Sequence, residues 1–395
     1  MELLRYSGTK KMVVNEIFSK KLTTRAEISS CLQFSTLTIS KAVTSLIADN
    51  IIIETDFLES GGGRKPAVLA INPHLAYTVA IDIGSYSFKI GIVSLNGDVL
   101  KSEFITTYIG ETPAQTLEVE QIIEKIQCYF NEYGRDKFIS ICLGVSGIID
   151  YEKQQIVFCP NISGFDNNDI INVLSARFNI PVYLDSSARC MALGEKLFGH
   201  GINVKNQIFI SLGYGISSGL IINSDLFRGT SGFSGEIGHL QVTDSNLICT
   251  CGNSGCLELY ATVPMIIIKV IEQLSSSSVY SPLRQSNIEL ESIGISDIAK
   301  AYRMGDKVVS SVIENFCKLL GRAVAYSVNI LNPQLIIFGG GLVEVLPEII
   351  DVTSRFIYHN CLTPSSRDIT IAKSQLGEIS PIIGSACQMI ERYFK

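Results

Sequence analysis

The stretch Gly235-Glu-Ile-Gly-His239-Leu-Gln-Val-Thr-Asp-Ser-Asn-Leu-Ile-Cys249-Thr-Cys251-Gly-Asn-Ser-Gly-Cys256-Leu-Glu258 brings one imidazole and three thiols together in the spacing His-x9-Cys-x-Cys-x4-Cys. Three thiols and an imidazole make the soft, tetrahedral shell that Zn²⁺ prefers. Gly252 and Gly255 let the chain double back so that the sulfurs converge. Four protein ligands leave no open position, so the spacing predicts a structural zinc bound by His239, Cys249, Cys251 and Cys256. The bland alternative is a set of reduced surface cysteines.

Outward from this segment the chain alternates strands and helices. Upstream, Gln207-Ile-Phe-Ile-Ser-Leu-Gly213 is an apolar strand ending at glycine. Another apolar run at 219–223, a turn and Leu226-Phe-Arg follow. The same order occurs about 130 residues earlier. Tyr77-Thr-Val-Ala-Ile-Asp-Ile-Gly84 is followed by a strand over 88–95, the hairpin dipeptide Asn96-Gly97 and a third strand from Asp98. Two such units predict a duplicated lobe with a cleft between. Leu335-Ile-Ile-Phe-Gly-Gly-Gly341 is a further strand opening into a glycine turn, and the polar 275–282 stretch reads as a loop.

The first seventy residues read differently. Thr24-Arg-Ala-Glu27 has the form of a capping box starting a helix to about Gln33. After a short turn, Ser35 can cap a second helix. Ile39, Val43, Leu46 and Ile47 share its apolar face, and Asn50 suits a left-handed stop. Thr36, Thr38, Ser40, Lys41 and Thr44 are left off that face. A preceding helix near 11–20 completes a core. Ile51-Ile-Ile-Glu, Ser60-Gly-Gly-Gly-Arg-Lys-Pro66 and Ala67-Val-Leu-Ala-Ile71 then read as a β-hairpin wing with Arg64 and Lys65 at its tip. Arginine at a glycine tip suits a narrow minor groove. This winged helix-turn-helix, residues 1–72, is expected to contact DNA through Ser35, Thr36, Thr38, Ser40, Lys41, Thr44, Arg64 and Lys65. A three-helix packing module or a protein-binding winged helix is the alternative.

Composition agrees. A hydrophobic content of 46% against 18% charged residues predicts a fully folded chain. The net charge of −6 argues against nonspecific nucleic-acid binding by the whole surface. Residues 1–70 carry +2 and the remainder −8, a mildly basic head on an acidic body. No apolar run reaches the roughly 18 residues of a membrane span, and the N-terminus lacks the apolar stretch of a secretion signal. The eleven cysteines, an odd number, read as reduced thiols, which fits a cytoplasmic protein.

With these motifs in place the chain resembles the ROK family (repressors, open reading frames and kinases) over essentially all of residues 76–395. The 235–258 segment is similar to the family's zinc and sugar segment. Gly144-Val-Ser-Gly-Ile-Ile-Asp150 and Pro160-Asn161 resemble its sugar-side loops, and 332–341 its adenosine-side turn. The head, with its Gly-Arg-Lys-Pro wing, resembles the repressor branch. The resemblance implies an α/β, actin-like (ribonuclease-H-type) body of two lobes. The first is 76–184, completed by the C-terminal helix 378–395; the second is 185–377. It also implies sugar contacts from Asn161, Glu236, His239 and Glu258, with Ser186 and Ser187 beside them. His239 would hold zinc through one ring nitrogen and face the sugar with the other.

Three departures from the resembling kinases bear on chemistry. Ser187, in Asp185-Ser-Ser-Ala-Arg189, stands where those kinases place the general-base aspartate. A serine hydroxyl cannot take up that proton near neutral pH, and a general base contributes about 10²–10⁴-fold. Tyr86 and Tyr214 stand where the two phosphate turns carry threonine, and a phenol crowds backbone N–H groups that approach phosphate. Asp82 is retained. Arg189 adds a fixed cation beside the serines, which suits an acidic sugar or sugar phosphate. Its alternative is an ion pair with Asp185 or Glu195. The expected protein is therefore a sugar-responsive repressor, a homodimer or homotetramer on operator DNA, with no phosphotransfer. An ATP-dependent sugar kinase and an effector-free regulator are the rivals.

Overall fold

The structure, a computed structural model, describes residues 6–55, 67–84, 87–106, 108–109, 112–113, 119–159, 169–276, 279–285, 289–363 and 368–394. Arg64, Lys65, Tyr86 and Asn161 lie outside them.

The head begins with helix α1 (Thr9–Lys20), strand β1 (Thr23–Thr24), α2 (Arg25–Leu32) and α3 (Thr36–Ala48). The capping box at α2 is formed. The Glu27 N–H donates to Thr24 Oγ1 at 3.3 Å, and the Thr24 N–H donates to Glu27 Oε2 at 2.8 Å. Gln33 ends α2 in the left-handed region, and Ser35 Oγ accepts from the Thr38 N–H to start α3. Ile39, Ala42, Val43 and Leu46 form the buried face of α3. Asn50, at φ 58°, turns the chain into β2 (Ile52–Thr55), which pairs antiparallel with β3 (Val68–Ile71). β3 also pairs with β1, so the head's sheet has the order β1-β3-β2.

The body holds two five-stranded sheets of the same topology. The first takes β4 (Tyr77–Ile83), β5 (Ser87–Ser94) and β6 (Val99–Thr106) as an antiparallel meander. A short hairpin of β7 (Tyr108–Ile109) and β8 (Thr112–Pro113) follows. Helix α4 (Val119–Tyr133) leads to β9 (Phe138–Val145), parallel to β4. β10 (Ile148–Asp150) and β11 (Gln155–Phe158) form a ribbon, and α5 (Ile170–Phe178) leads to β12 (Val182–Ser186), parallel to β9. Helix α6 (Ser187–Phe198) follows at once.

The second sheet repeats this order. β13 (Gln207–Leu212), β14 (Ile216–Ile222) and β15 (Asp225–Phe227) form the meander. β16 (Leu335–Gly339) and β17 (Thr370–Lys373) are the parallel strands, and the C-terminal helix Ser380–Phe394 takes the place of α6. The internal echo read in the sequence is therefore a repeated βββαβαβα unit. β12 runs through Ser186, so the first sheet extends two residues past the expected boundary at 184.

The two terminal helices of the repeats pack against each other, each on the other repeat's sheet. The C-terminal helix packs on β4, β5 and β9, whereas α6 packs on β13 and β14. The contact is close because both helices carry glycine there. A Cβ on Gly384 would sit 2.5 Å from the Cys190 carbonyl oxygen, and one on Gly194 would sit 3.2 Å from Gly384 Cα. Close packing of this kind has no room for a methyl group. α6 thereby carries residues 187–195 into the seam between the lobes. One hydrophobic cluster joins head and body: Val13, Val14, Ile17 and Leu46 pack with Ile382, Met389, Ile390 and Phe394. No helix among the described residues is long and apolar enough to cross a membrane.

Candidate functional site

The four metal-binding side chains converge. One ligand atom from each of His239, Cys249, Cys251 and Cys256 lies within 4.8 Å of the others. Backbone bridges fold the segment: Gln241 pairs with Cys256 and Ile248 with Ser254. Gly255, at φ +69°, closes the turn against Thr243, where a Cβ would meet the carbonyl oxygen at 2.1 Å. The Cys251 and Cys256 sulfurs are 3.7 Å apart, and Cys249 Sγ is 3.5 Å from His239 Nδ1. Bonds of about 2.3 Å to sulfur and about 2.0 Å to nitrogen at tetrahedral angles give roughly 3.8 and 3.5 Å for these separations. The donor set thus fits a tetrahedral metal, and Nδ1 is the ring nitrogen turned to it.

Two carboxylates flank this group. Glu258 Oε2 accepts the Ile216 N–H at 3.3 Å and lies close to Gly215 and Gly238. Glu236 is half-buried. Burial raises its carboxyl, Glu258 adds to that rise, and His239 and Arg189 oppose it. Glu236, His239, Glu258 and Arg189 are therefore electrostatic neighbours although Arg189 comes from α6 and the others from the segment after β15.

At the seam, Ser187 Oγ donates to Asp82 Oδ1 at 2.6 Å. Burial pushes the Asp82 carboxyl up, against the pull of that hydroxyl. Asp185 is fully buried and accepts from two arginines: Arg189 Nε at 2.5 Å and Arg228 Nε at 3.0 Å. Ser187 Oγ and both carboxylate oxygens of Asp185 are thus engaged in hydrogen bonds within the protein. Arg189 realises the ion-pair alternative. It is 2% exposed, its Nη1 donates to the Gly232 carbonyl at 2.6 Å, and only Nη2 lacks a partner. Its charge is offset by Asp185, which removes the reason to expect an acidic effector at Arg189. Ser186 is buried beside it, its N–H donating to Asp185 Oδ1.

Tyr214 stands in the second glycine turn, 39% exposed. On the head, Ser35, Thr36, Thr38, Lys41 and Thr44 are exposed along α3, and Ser40 is half-buried. Leu37, at 64% exposure, stands among them and went unnoticed in the sequence. An apolar residue within a hydroxyl-rich turn was the available signal. Arg228, Tyr151 and Arg392, which meet near Asp185, also went unnoticed.

Two matched lobes, a four-donor metal group and a head of three helices with a small sheet define a two-lobed sugar-kinase-like body under a helical head. The ROK family pattern matches residues 78–392, and the chain belongs to the ROK family. It is 32% identical to the xylose repressor of Caldicellulosiruptor bescii over 87% of this chain and 88% of that protein. It is 28% identical to the N-acetylglucosamine repressor of Escherichia coli over 91% of this chain and 86% of that protein. Among solved structures, a ROK family transcriptional regulator described as a homolog of the E. coli MLC protein superposes with a TM-score of 0.79 at 25% identity, covering 97% of this chain and 96% of that one. A ROK glucokinase from Streptomyces griseus shares the body fold alone, with a TM-score of 0.68 over 79% of this chain and 98% of that chain at 24% identity.

Proposed function

We propose that this chain is a sugar-responsive DNA-binding transcriptional regulator whose kinase-like body binds a sugar without phosphorylating it. The observation that carries the reading is the seam: Ser187 is tied to Asp82, and both oxygens of Asp185 are held by arginines. What remains for a ligand is Glu236, Glu258 and the free side of His239, acceptors suited to sugar hydroxyls, with Ser186, Ser187 and Asn161 from the first lobe. His239, Cys249, Cys251 and Cys256 would hold a structural zinc, which orients the imidazole. The near-full-length similarity to repressors supports the same reading. The head acts as a winged helix-turn-helix with α3 in the major groove. Two heads in a homodimer or homotetramer would span half-sites about 34–36 Å apart or a multiple of that. The protein acts in the cytoplasm.

The test is a thermal-shift panel of neutral sugars, including xylose, glucose and N-acetylglucosamine, with a phosphotransfer assay under magnesium and ATP. One neutral sugar should raise the midpoint, and Glu236→Gln should abolish the rise. A phosphorylated sugar product would overturn the reading in favour of a kinase.

The head makes its own prediction. Each phosphate contact contributes about −0.9 to the slope of log affinity against log salt. The double substitution Arg64→Ala, Lys65→Ala should flatten that slope by roughly 1–2 and weaken operator binding. An unchanged affinity and slope would place the wing away from DNA.

A further inference from the structure

Apart from the cleft of Glu236, His239 and Glu258, a second cavity of about 550 Å³ opens between the C-terminal helix, β12 and the turn after β10. Two arginines line it. Arg392, exposed near the end of the C-terminal helix, donates to the Tyr151 hydroxyl at 2.5 Å and lies over the Tyr183 ring at 4.3 Å. It has no carboxylate partner among the described residues. Arg228 enters from the other lobe, and its guanidinium stacks on the Tyr151 ring at 3.9 Å. The Arg392 guanidinium is 5.7 Å from the same ring centre, so the two cations converge on one tyrosine. Arg228 and Arg189 share the single carboxylate of Asp185. With Glu152, Glu391 and its partner Lys196 counted, four cations face three carboxylates around the cavity, an excess of one positive charge.

Gln388 lines the cavity but is 4% exposed, and its Nε2 donates to the Leu143 carbonyl at 2.8 Å. Of the two carboxylates lining the cavity, Glu391 is paired with Lys196 at 2.6 Å, and Glu152 is exposed to solvent. Arginine forks match carboxylate and phosphate, and the volume falls within the range of about 300–1,000 Å³ typical of small-molecule sites.

We propose that this cavity is a second ligand site, taking a small organic anion. Its carboxylate or phosphate lies between Arg228 and Arg392. The site uses neither Glu236 nor the metal group, so it stands apart from the proposed sugar cleft. It is placed to act on both ends of the molecule. Arg228 precedes the loop that leads to Glu236, and Arg392 is followed by Tyr393 and Phe394, which pack into the core shared with the head.

Calorimetric titration of the full chain with D-gluconate, D-glucose 6-phosphate and D-glucose tests the site. At least one anion should bind in the presence of saturating neutral sugar, and comparison of the two anions identifies the preferred group. Arg392→Gln should weaken that anion at least tenfold, since hydrogen bonds to charged groups are lost. Arg355→Gln, on an exposed face of the second lobe, should leave it unchanged. Failure of both anions to bind at low-millimolar concentration overturns the proposal. So does anion binding that survives Arg392→Gln; if Glu236→Gln then abolishes it, the anion occupies the sugar cleft. A neutral-sugar response lost in Glu236→Gln but retained in Arg392→Gln keeps the two sites distinguishable.

Discussion

Asp185→Asn is expected to lower the unfolding free energy by about 3–5 kcal/mol, the cost of removing one partner from a buried ion pair. Asp185 has no exposed surface and Arg189 has 2%. Arg189 cannot lose its proton to relieve the loss, because a guanidinium stays charged at any working pH. Arg228 loses its carboxylate at the same time, so two cations are left facing each other. Equilibrium urea unfolding measures the difference. The converse substitution sharpens the test. Asp185→Leu combined with Arg189→Met replaces the pair with apolar volume and should recover much of the loss, because the isolated charge and not the missing attraction dominates. A change below about 1 kcal/mol in Asp185→Asn would show that water reaches the pair and that the seam is not sealed.

The metal group gives the second large effect. Protein purified without added zinc should hold close to one equivalent per chain, and Cys251→Ser should lose it. Cys251 is the informative ligand because it is exposed, so serine there removes a sulfur without leaving a void in the core. A metal present at about a thousand times its dissociation constant contributes roughly 4 kcal/mol to stability. Cys251→Ser should therefore cost about that much, and chelation of the wild type should match it. A metal-free Cys251→Ser protein with full stability would end the assignment.

Where structure follows from neighbouring residues, the sequence was readable. Thr24 and Glu27 define the start of α2 by satisfying each other's backbone, and Asn96-Gly97 defines the hairpin by its tolerance of positive φ; Gly97 sits at 84°. The metal group was legible because the four ligands fall within one short segment. The seam was only half legible. Asp185 and Arg189 are only four residues apart, so their pairing is an alternative that the sequence itself offers. Arg228 joins that pair from another lobe, and Arg392 reaches Tyr151 from the far end of the chain; no local pattern announces either. The 184/185 boundary shifted for a related reason. No turn residue separates β12 from α6, and the parallel pairing of Asp185 with Gly144 and Ser186 with Val145 keeps both residues in the strand.

The ring of Phe18 in the head lies flat on that of Phe394 at the other end of the chain, 3.8 Å between centroids and 10° between planes, with Phe198 edge-on to Phe18 at 6.1 Å. If the head reads DNA as proposed, the portable cassette is therefore not a contiguous piece of sequence. A chimera made by cutting near residue 72 and grafting a foreign head would meet an orphaned aromatic surface on the body and leave its own unfilled. Exchange of operator specificity between relatives needs the last turn of the C-terminal helix to travel with the head, or a matched aromatic in the incoming α1. Substitution of Phe394 is the corresponding hazard, since it disturbs the seat of the head more than three hundred residues away in sequence.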